Sequence, residues 1–120
     1  MTSGPEPVGT LDVALAHAEK LLVSQPGLAA EQAREILGAV PNHPAATLLL
    51  AMARRRSHDV AEALRILEPL AASQPRWPAA QRELGLALGD AGRGEEAVAA
   101  LRAAVRLQPT MADAWRALGD

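Results

Sequence analysis

The sequence of 120 residues lacks cysteine, tyrosine and phenylalanine, and Trp77 and Trp115 are its two aromatic residues. Without cysteine there is no disulfide framework and no thiolate metal site. Few aromatic side chains are available to stack on RNA or single-stranded DNA. The net charge of −2 also argues against a dedicated DNA-binding protein. We therefore expect no nucleic acid among its partners.

Long apolar runs are also missing, because no stretch of about 18 apolar residues occurs. The N-terminal Met-Thr-Ser-Gly-Pro-Glu-Pro lacks the basic start and apolar core of a signal peptide. We therefore expect a cytoplasmic protein with no membrane partner. At 49% apolar the chain is too hydrophobic to be disordered, and its length suits one small domain. Its abundant alanine and leucine favour closely packed helices over sheets.

Several residues recur at an interval of 34 positions. The recurring sets are Pro41, Pro75 and Pro109; Ala29, Ala63 and Ala97; Leu50, Leu84 and Leu118; Pro44 and Pro78; and Gly85 and Gly119. Five sets at one period, with no gap required, indicate a true internal repeat.

Within each repeat the apolar residues follow the spacing of an amphipathic helix, as at Ala97, Leu101 and Ala104. Gly92 interrupts this pattern, so each unit is predicted to be a helix, a turn and a second helix. The predicted helices span about 10–23, 28–39, 44–56, 60–73, 78–91 and 95–107, and a further helix starts at 112. Pro69 lies inside one of them, where we expect a kink rather than a break.

The repeated unit resembles a known family in the order of its small and apolar residues. These are Leu84-Gly85, Gly92, Ala97, Leu101, Ala104 and Pro109, and the pattern is that of a tetratricopeptide repeat (TPR). The resemblance is strong for the third unit, good for the second and weak for the first. It implies an all-α, right-handed superhelical solenoid of antiparallel helix pairs, with about three repeats and a truncated fourth.

The resemblance also implies a division of the chain. We predict a flexible N-terminal segment at 1–9 and a TPR domain at 10–120, with repeats at about 10–43, 44–77 and 78–111 and a partial one at 112–120. Because the sequence stops early in a predicted helix, we expect the natural protein to continue. A weaker resemblance, in runs such as Val40-Pro-Asn-His-Pro44, is to the N-terminal repeats of bacterial TPR-containing sulfotransferases. That resemblance would place every catalytic residue beyond residue 120.

The sequence predicts no catalytic, cofactor-binding or metal-binding residues. His17, His43 and His58 fall in different repeats, and none has partners at a metal-ligand spacing. No nucleophile elbow and no phosphate loop ending in Lys-Ser/Thr occurs. His43 is interpreted as a turn and capping residue, and Asp59 as the cap of the next helix. We therefore expect this chain not to be an enzyme.

Arginines at equivalent positions suggest a binding surface. Arg82 and Arg116 are 34 residues apart, and the first helices of TPR units line a concave groove. The resemblance implies a peptide-binding groove that contains Leu48, Met52, Arg55, Arg56, Arg82, Leu86 and Arg116. Such arginines can hold carboxylates, although Glu83, Asp90 and Asp113 are near enough to neutralise part of the charge. Arg55 and Arg56 also have a simpler interpretation, since cations at a helix end favour the helix dipole.

Three functions stay open at this point. The first is a scaffold that binds a protein or an acidic peptide, the second is a non-catalytic fragment of a sulfotransferase, and the third is a structural or dimerisation spacer. The predicted C-terminal end bears on the third. Four apolar residues of the last complete helix need cover from the short helix after it, namely Ala100, Leu101, Ala104 and Val105. We expect that cover to be incomplete, with fraying or self-association as the result.

Overall fold

The computed structural model describes residues 7–119, and this part of the chain consists of seven helices without any strand. The helices are α1 (Pro7–Ser24), α2 (Pro26–Ala39), α3 (Pro44–Arg56), α4 (Val60–Ser73), α5 (Pro78–Asp90), α6 (Gly94–Leu107) and α7 (Ala112–Ala117). The predicted all-α helical repeat is therefore confirmed. Of the segment expected to be flexible, residues 7–9 belong to α1, and residues 1–6 lie outside the described part.

The chain divides into two compact units, of which one ends at Ser57 and the other begins at His58. The division falls between α3 and α4, inside the predicted second repeat. The predicted repeat boundaries and the right-handed superhelix stay predictions.

The helix ends follow the local rules that the sequence suggested. Prolines occupy the first turns of α2, α3 and α5, where a missing N–H leaves no intrahelical bond unmade. His43 caps α3, because its Nδ1 accepts a hydrogen bond from the Ala46 N–H at 3.3 Å. Asp59 caps α4 by accepting from the Glu62 N–H at 3.3 Å. Helix α4 continues through Pro69 without a break.

The first unit has a core built mainly from alanine. One cluster of its buried residues comprises Ala18, Leu22, Ala29, Ala30, Ala33, Leu49 and Ala53, from α1, α2 and α3. Because alanine side chains are small, the helix backbones lie close together, and the contacts in this core come from that close approach and not from large side chains.

The second unit packs larger side chains. One of its clusters comprises Leu101, Ala104, Val105, Met111 and Ala114, with Leu86 and Leu118 partly buried against it. Gly85 provides the space for Leu101, because a Cβ at Gly85 would lie 2.6 Å from Leu101 Cγ. Gly85 therefore permits a close approach of α5 and α6.

The expectation of incomplete cover at the C-terminal end is wrong for the apolar stripe itself. Ala100, Leu101, Ala104 and Val105 are each at most 7% exposed. Met111, which precedes the short helix that was expected to give the cover, is buried in the same cluster as Leu101 and Val105. The residual exposure lies on Trp115, which is 38% exposed.

Candidate functional site

The predicted groove residues lie on three helices. Leu48, Met52, Arg55 and Arg56 lie on α3 of the first unit, Arg82 and Leu86 on α5 of the second, and Arg116 on α7 of the second.

In the first unit the two apolar residues of this set serve the protein's own packing. Leu48 is buried, and Met52 is half-buried against the alanine-rich core. Arg55 is half-buried and engaged in an interaction of its own, whereas Arg56 is exposed. Both arginines lie in the last turn of α3, where a cation interacts favourably with the helix dipole.

In the second unit Arg82 lies between two carboxylates. Its Nη2 donates to Glu83 Oε2 at 3.1 Å, and its Nη1 lies 3.4 Å from Asp113 Oδ2. The exposed fractions of the three side chains are 21% for Arg82, 3% for Glu83 and 49% for Asp113. The expected partial neutralisation of Arg82 is therefore present. Its Nε is buried and has no hydrogen-bond acceptor.

Glu83 is the one buried charged residue in the part of the chain that the structure describes, at 2% exposed. A buried carboxylate is costly unless it is paired and hydrogen-bonded, and Arg82 supplies one such partner. The residue 34 positions earlier is the buried Leu49. This register could have indicated from sequence that Glu83 would be buried.

Arg116 differs from Arg82 although the two occupy the same place in the repeat. It is exposed, and no side chain among residues 7–119 pairs with it. Leu86 packs against the cluster that contains Leu101 and Val105, so part of its surface is already covered. The structure thus brings Arg82 and Asp113 together across α5 and α7 and leaves Arg116 open to solvent.

A hydrogen bond from a side-chain N–H to a proline carbonyl recurs in the repeat and was not predicted. Gln81 Nε2 donates to the Pro75 carbonyl at 3.3 Å, and Trp115 Nε1 donates to the Pro109 carbonyl at 2.8 Å. Both donors stand six residues after the proline, one repeat apart. The bond orients the indole of Trp115, and the recurrence of a side-chain N–H donor at this position was the available signal.

Trp115 borders a groove between α6 and α7. The groove encloses about 480 Å³ and is lined by Val98, Arg102, Val105, Arg106, Trp115 and Leu118. Arg102 and Arg106 are exposed on successive turns of α6. The groove therefore combines an apolar floor with two cations.

A shallower cleft of about 320 Å³ lies among α4, α5 and α6. Its floor contains Leu84 and Leu88, and its rim carries Glu68 and Glu96. Arg93 Nη2 lies 3.0 Å from Glu68 Oε2 and 2.8 Å from Glu96 Oε2. The hydrogen bonds from Arg93 lower the pKa of the Glu96 carboxyl. This arrangement joins α4 to the α5–α6 turn and leaves the cleft with compensated charge.

Metal ligands and membrane-spanning helices are the remaining features of interest. Nowhere in residues 7–119 do three or more histidine or acidic side chains cluster as a metal site requires. None of the helices in that range has the length and apolar character needed to cross a bilayer.

Comparison with known structures identifies similar folds. The O-GlcNAc transferase of Thermobaculum terrenum (K341M mutant) aligns with a TM-score of 0.87 and 22% identity, over 98% of this chain and 22% of the transferase chain. MamA from Desulfovibrio magneticus RS-1, residues 41 to the end, gives 0.77 and 24% identity over 91% of this chain. This chain spans 62% of that MamA chain.

A third similar structure was determined with a ligand. The first TPR of Spaghetti (RPAP3), bound to the HSP90 peptide SRMEEVD, has a TM-score of 0.79 and 20% identity, over 90% of this chain and 86% of its own. No curated protein matches the chain in sequence. The structural similarities establish the fold.

A family model settles the family. The tetratricopeptide-repeat model matches residues 48–111 and 82–120, which together exceed half of the chain. The match includes the predicted third repeat and the start of the next. The chain belongs to the tetratricopeptide-repeat family.

Proposed function

We propose that this chain is a non-catalytic scaffold that binds a protein or peptide partner. Family membership supports the proposal, and so does the structural similarity to the Spaghetti TPR, which was determined with a bound peptide. The observation that carries it is Arg82, an arginine on a first helix whose side chain stays 21% exposed beside the 49% exposed Asp113. The similarities favour this function over a sulfotransferase fragment, for which the sequence downstream of residue 120 is the test.

The proposed partner carries acidic groups. Arg82 and Arg116 offer guanidinium groups on α5 and α7, and guanidinium binds carboxylates through paired hydrogen bonds. In the first unit the proposed binding residues are Arg55 and Arg56 with the apolar Leu48 and Met52, and in the second unit Leu86 is the apolar residue. Because Leu48 is buried and the other two are half-buried, the arginines would carry most of the recognition.

The test is the double substitution Arg82→Glu with Arg116→Glu. The probe is fluorescently labelled SRMEEVD, the acidic peptide of the Spaghetti complex. Because Arg82→Glu removes a partner of the buried Glu83, we expect a lower free energy of unfolding. At a temperature where circular dichroism shows the variant to be folded, binding should be weakened more than tenfold, or about 1.4 kcal/mol. Wild-type affinity should fall as salt rises, because the contacts are ionic.

A matched control separates local recognition from net charge. Arg34→Glu with Arg76→Glu makes the same charge change at two exposed arginines outside the proposed surface. Binding should persist in this control. Equal binding by the Arg82/Arg116 variant and the wild type at low salt would rule out the proposed surface.

We propose self-association as a second function, since Trp115 is 38% exposed and borders the groove between α6 and α7. Two chains would bury these end regions against each other. Light scattering over a concentration series should show a mass that rises in the wild type and falls in Trp115→Ala. Leu107→Ala is the control, because Leu107 is equally exposed on α6 but does not line the groove. A strict monomer at high concentration would refute this proposal.

We further propose a cytoplasmic location and a TPR domain that includes all of α1. Limited proteolysis followed by mass spectrometry tests this boundary, since the first cuts should fall outside α1. First cuts within α1 would contradict it.

A further inference from the structure

The two carboxylates that contact Arg82 are very different in accessibility. Glu83 is 3% exposed at its side chain, whereas Asp113 is 49% exposed. Glu83 is buried, so water cannot readily replace Arg82 as its partner, and loss of this contact is unfavourable. Asp113 can leave at little cost, since it returns to water and a partly exposed ion pair contributes little. Exchange of partners at Arg82 is therefore possible on the Asp113 side alone.

The contact between Arg82 and Asp113 also lacks the paired geometry with which guanidinium usually binds a carboxylate. One nitrogen, Nη1, faces one oxygen, Oδ2, at 3.4 Å. A carboxylate that binds guanidinium well does so through two parallel hydrogen bonds, so a carboxylate that forms both would bind Arg82 more tightly than Asp113 does.

We propose that Asp113 is a built-in competitor, which occupies Arg82 in the free protein and is displaced by a carboxylate of the partner. The inference rests on the proposed function and deepens it. Asp113 thereby sets specificity, because only a partner group that outcompetes a tethered carboxylate gains access to Arg82. Neutral or weakly polar segments would leave the internal pair in place.

A simpler role for Asp113 predicts different behaviour. Asp113 lies in the first turn of α7, where an acidic side chain stabilises a helix through its dipole. In that case its removal would lower stability without changing affinity. Glu95 holds the corresponding position in the first turn of α6 and is exposed, so Glu95→Gln is a matched control.

The experiment measures fluorescence polarisation with SRMEEVD and with the carboxylate-free analogue SRMQQVN carrying an amidated C-terminus. We expect Asp113→Asn to tighten binding of the acidic probe about fivefold, and not to tighten binding of the carboxylate-free probe. Glu95→Gln should bind both probes as the wild type does. In an Arg82→Gln background, Asp113→Asn should lose its effect, because the arginine that both carboxylates share is gone.

Each other outcome contradicts a defined part of the proposal. If Arg82→Gln weakens the acidic probe but Asp113→Asn does not tighten it, the competitor is wrong and the proposed surface stands. If Asp113→Asn and Glu95→Gln tighten it equally, the effect is net charge and the competitor is again wrong. If Arg82→Gln leaves binding unchanged, or no variant binds the acidic probe, the acidic-partner surface falls together with the competitor.

Discussion

The helix hairpins α1–α2 and α5–α6 are equivalent units of the repeat, but their helices pack through different side chains. In α5–α6, Leu101 fills the space above Gly85, and the turn contains Gly92 with a φ of 80°. In α1–α2, the residue at the position of Leu101 is Ala33, and Gln25 alone joins the helices. One hairpin fits a large side chain against a residue with none, and the other brings small side chains together.

The difference explains why the repeat is weak at its start. Ala29, Ala63 and Ala97 are all buried, so the second helices keep the period of 34. The first helices do not, because His17 is exposed where the equivalent Ala51 and Gly85 are buried. A leucine above a glycine fixes one register, whereas a face of alanines has no comparable feature. The family model accordingly matches from residue 48 onward.

Truncating Leu101 should lower the stability of the α5–α6 hairpin more than any other change considered. Leu101 is 4% exposed, so Leu101→Ala should lower the free energy of unfolding by about 2–5 kcal/mol, as truncation of a buried leucine does. Leu107→Ala on the same helix is the control, because Leu107 is 39% exposed and should cost under about 1 kcal/mol. Urea denaturation followed by circular dichroism measures both. Equal losses would mean that Leu101 does not hold the hairpin.

Filling the space at Gly85 should have the next largest effect. The added Cβ of Gly85→Ala would lie 2.6 Å from Leu101 Cγ and 3.2 Å from the Ala97 carbonyl oxygen. We expect a loss of about 1–3 kcal/mol from overpacking, measured by the same denaturation. Gly89→Ala places its Cβ 4.0 Å from Ala97 Cβ and should be tolerated or stabilising. A stable Gly85→Ala would show that α6 can shift, and that the register is not fixed there.

Much of the fold was predictable because its determinants are local. Proline at helix starts and capping by Asp59 depend on neighbours within a turn, so periodicity located six helices closely. The start of α1 was less accessible, since alanine faces do not fix a register. The burial of Met111 was missed because it precedes the helix that was expected to give the cover.

The candidate site was predictable only in its residue types. Equivalent repeat positions for Arg82 and Arg116 suggested equivalent roles, yet one is mostly buried between carboxylates and the other is exposed. The burial of a residue depends on the helices packed against it. Arg82 lies on α5, which is followed by the complete helix α6, whereas Arg116 lies on the short helix α7. Sequence spacing placed Asp113 near the arginines but could not separate its exposure from that of Glu83.

Loss of the cap at the start of α3 should have an intermediate effect on stability. His43 caps α3 through its Nδ1, whereas the equivalent Trp77 makes no side-chain cap to α5. His43→Ala should therefore destabilise the first unit by about 1 kcal/mol, as loss of a cap does. His43→Asn should restore most of that stability, because asparagine is a good cap. Hydrogen exchange of the α3 amides measures the effect, and unchanged exchange in His43→Ala would show that the cap is not needed.

Substitutions in the turns inside the helix pairs should change stability the least. His58 has a φ of 66° and stands 34 residues before Gly92, whose φ is 80°. The left-handed region strains a residue with a Cβ, although histidine tolerates it better than most. Glycine removes that strain but adds freedom to the unfolded chain, so His58→Gly should stabilise the protein by less than about 1 kcal/mol. Ser57→Gly is the control, because Ser57 has a φ of −89° and gains nothing from glycine. Thermal denaturation should show a higher midpoint than the wild type for His58→Gly and a lower one for Ser57→Gly. A lower midpoint for His58→Gly would mean that the histidine side chain stabilises its turn by more than its backbone strain costs.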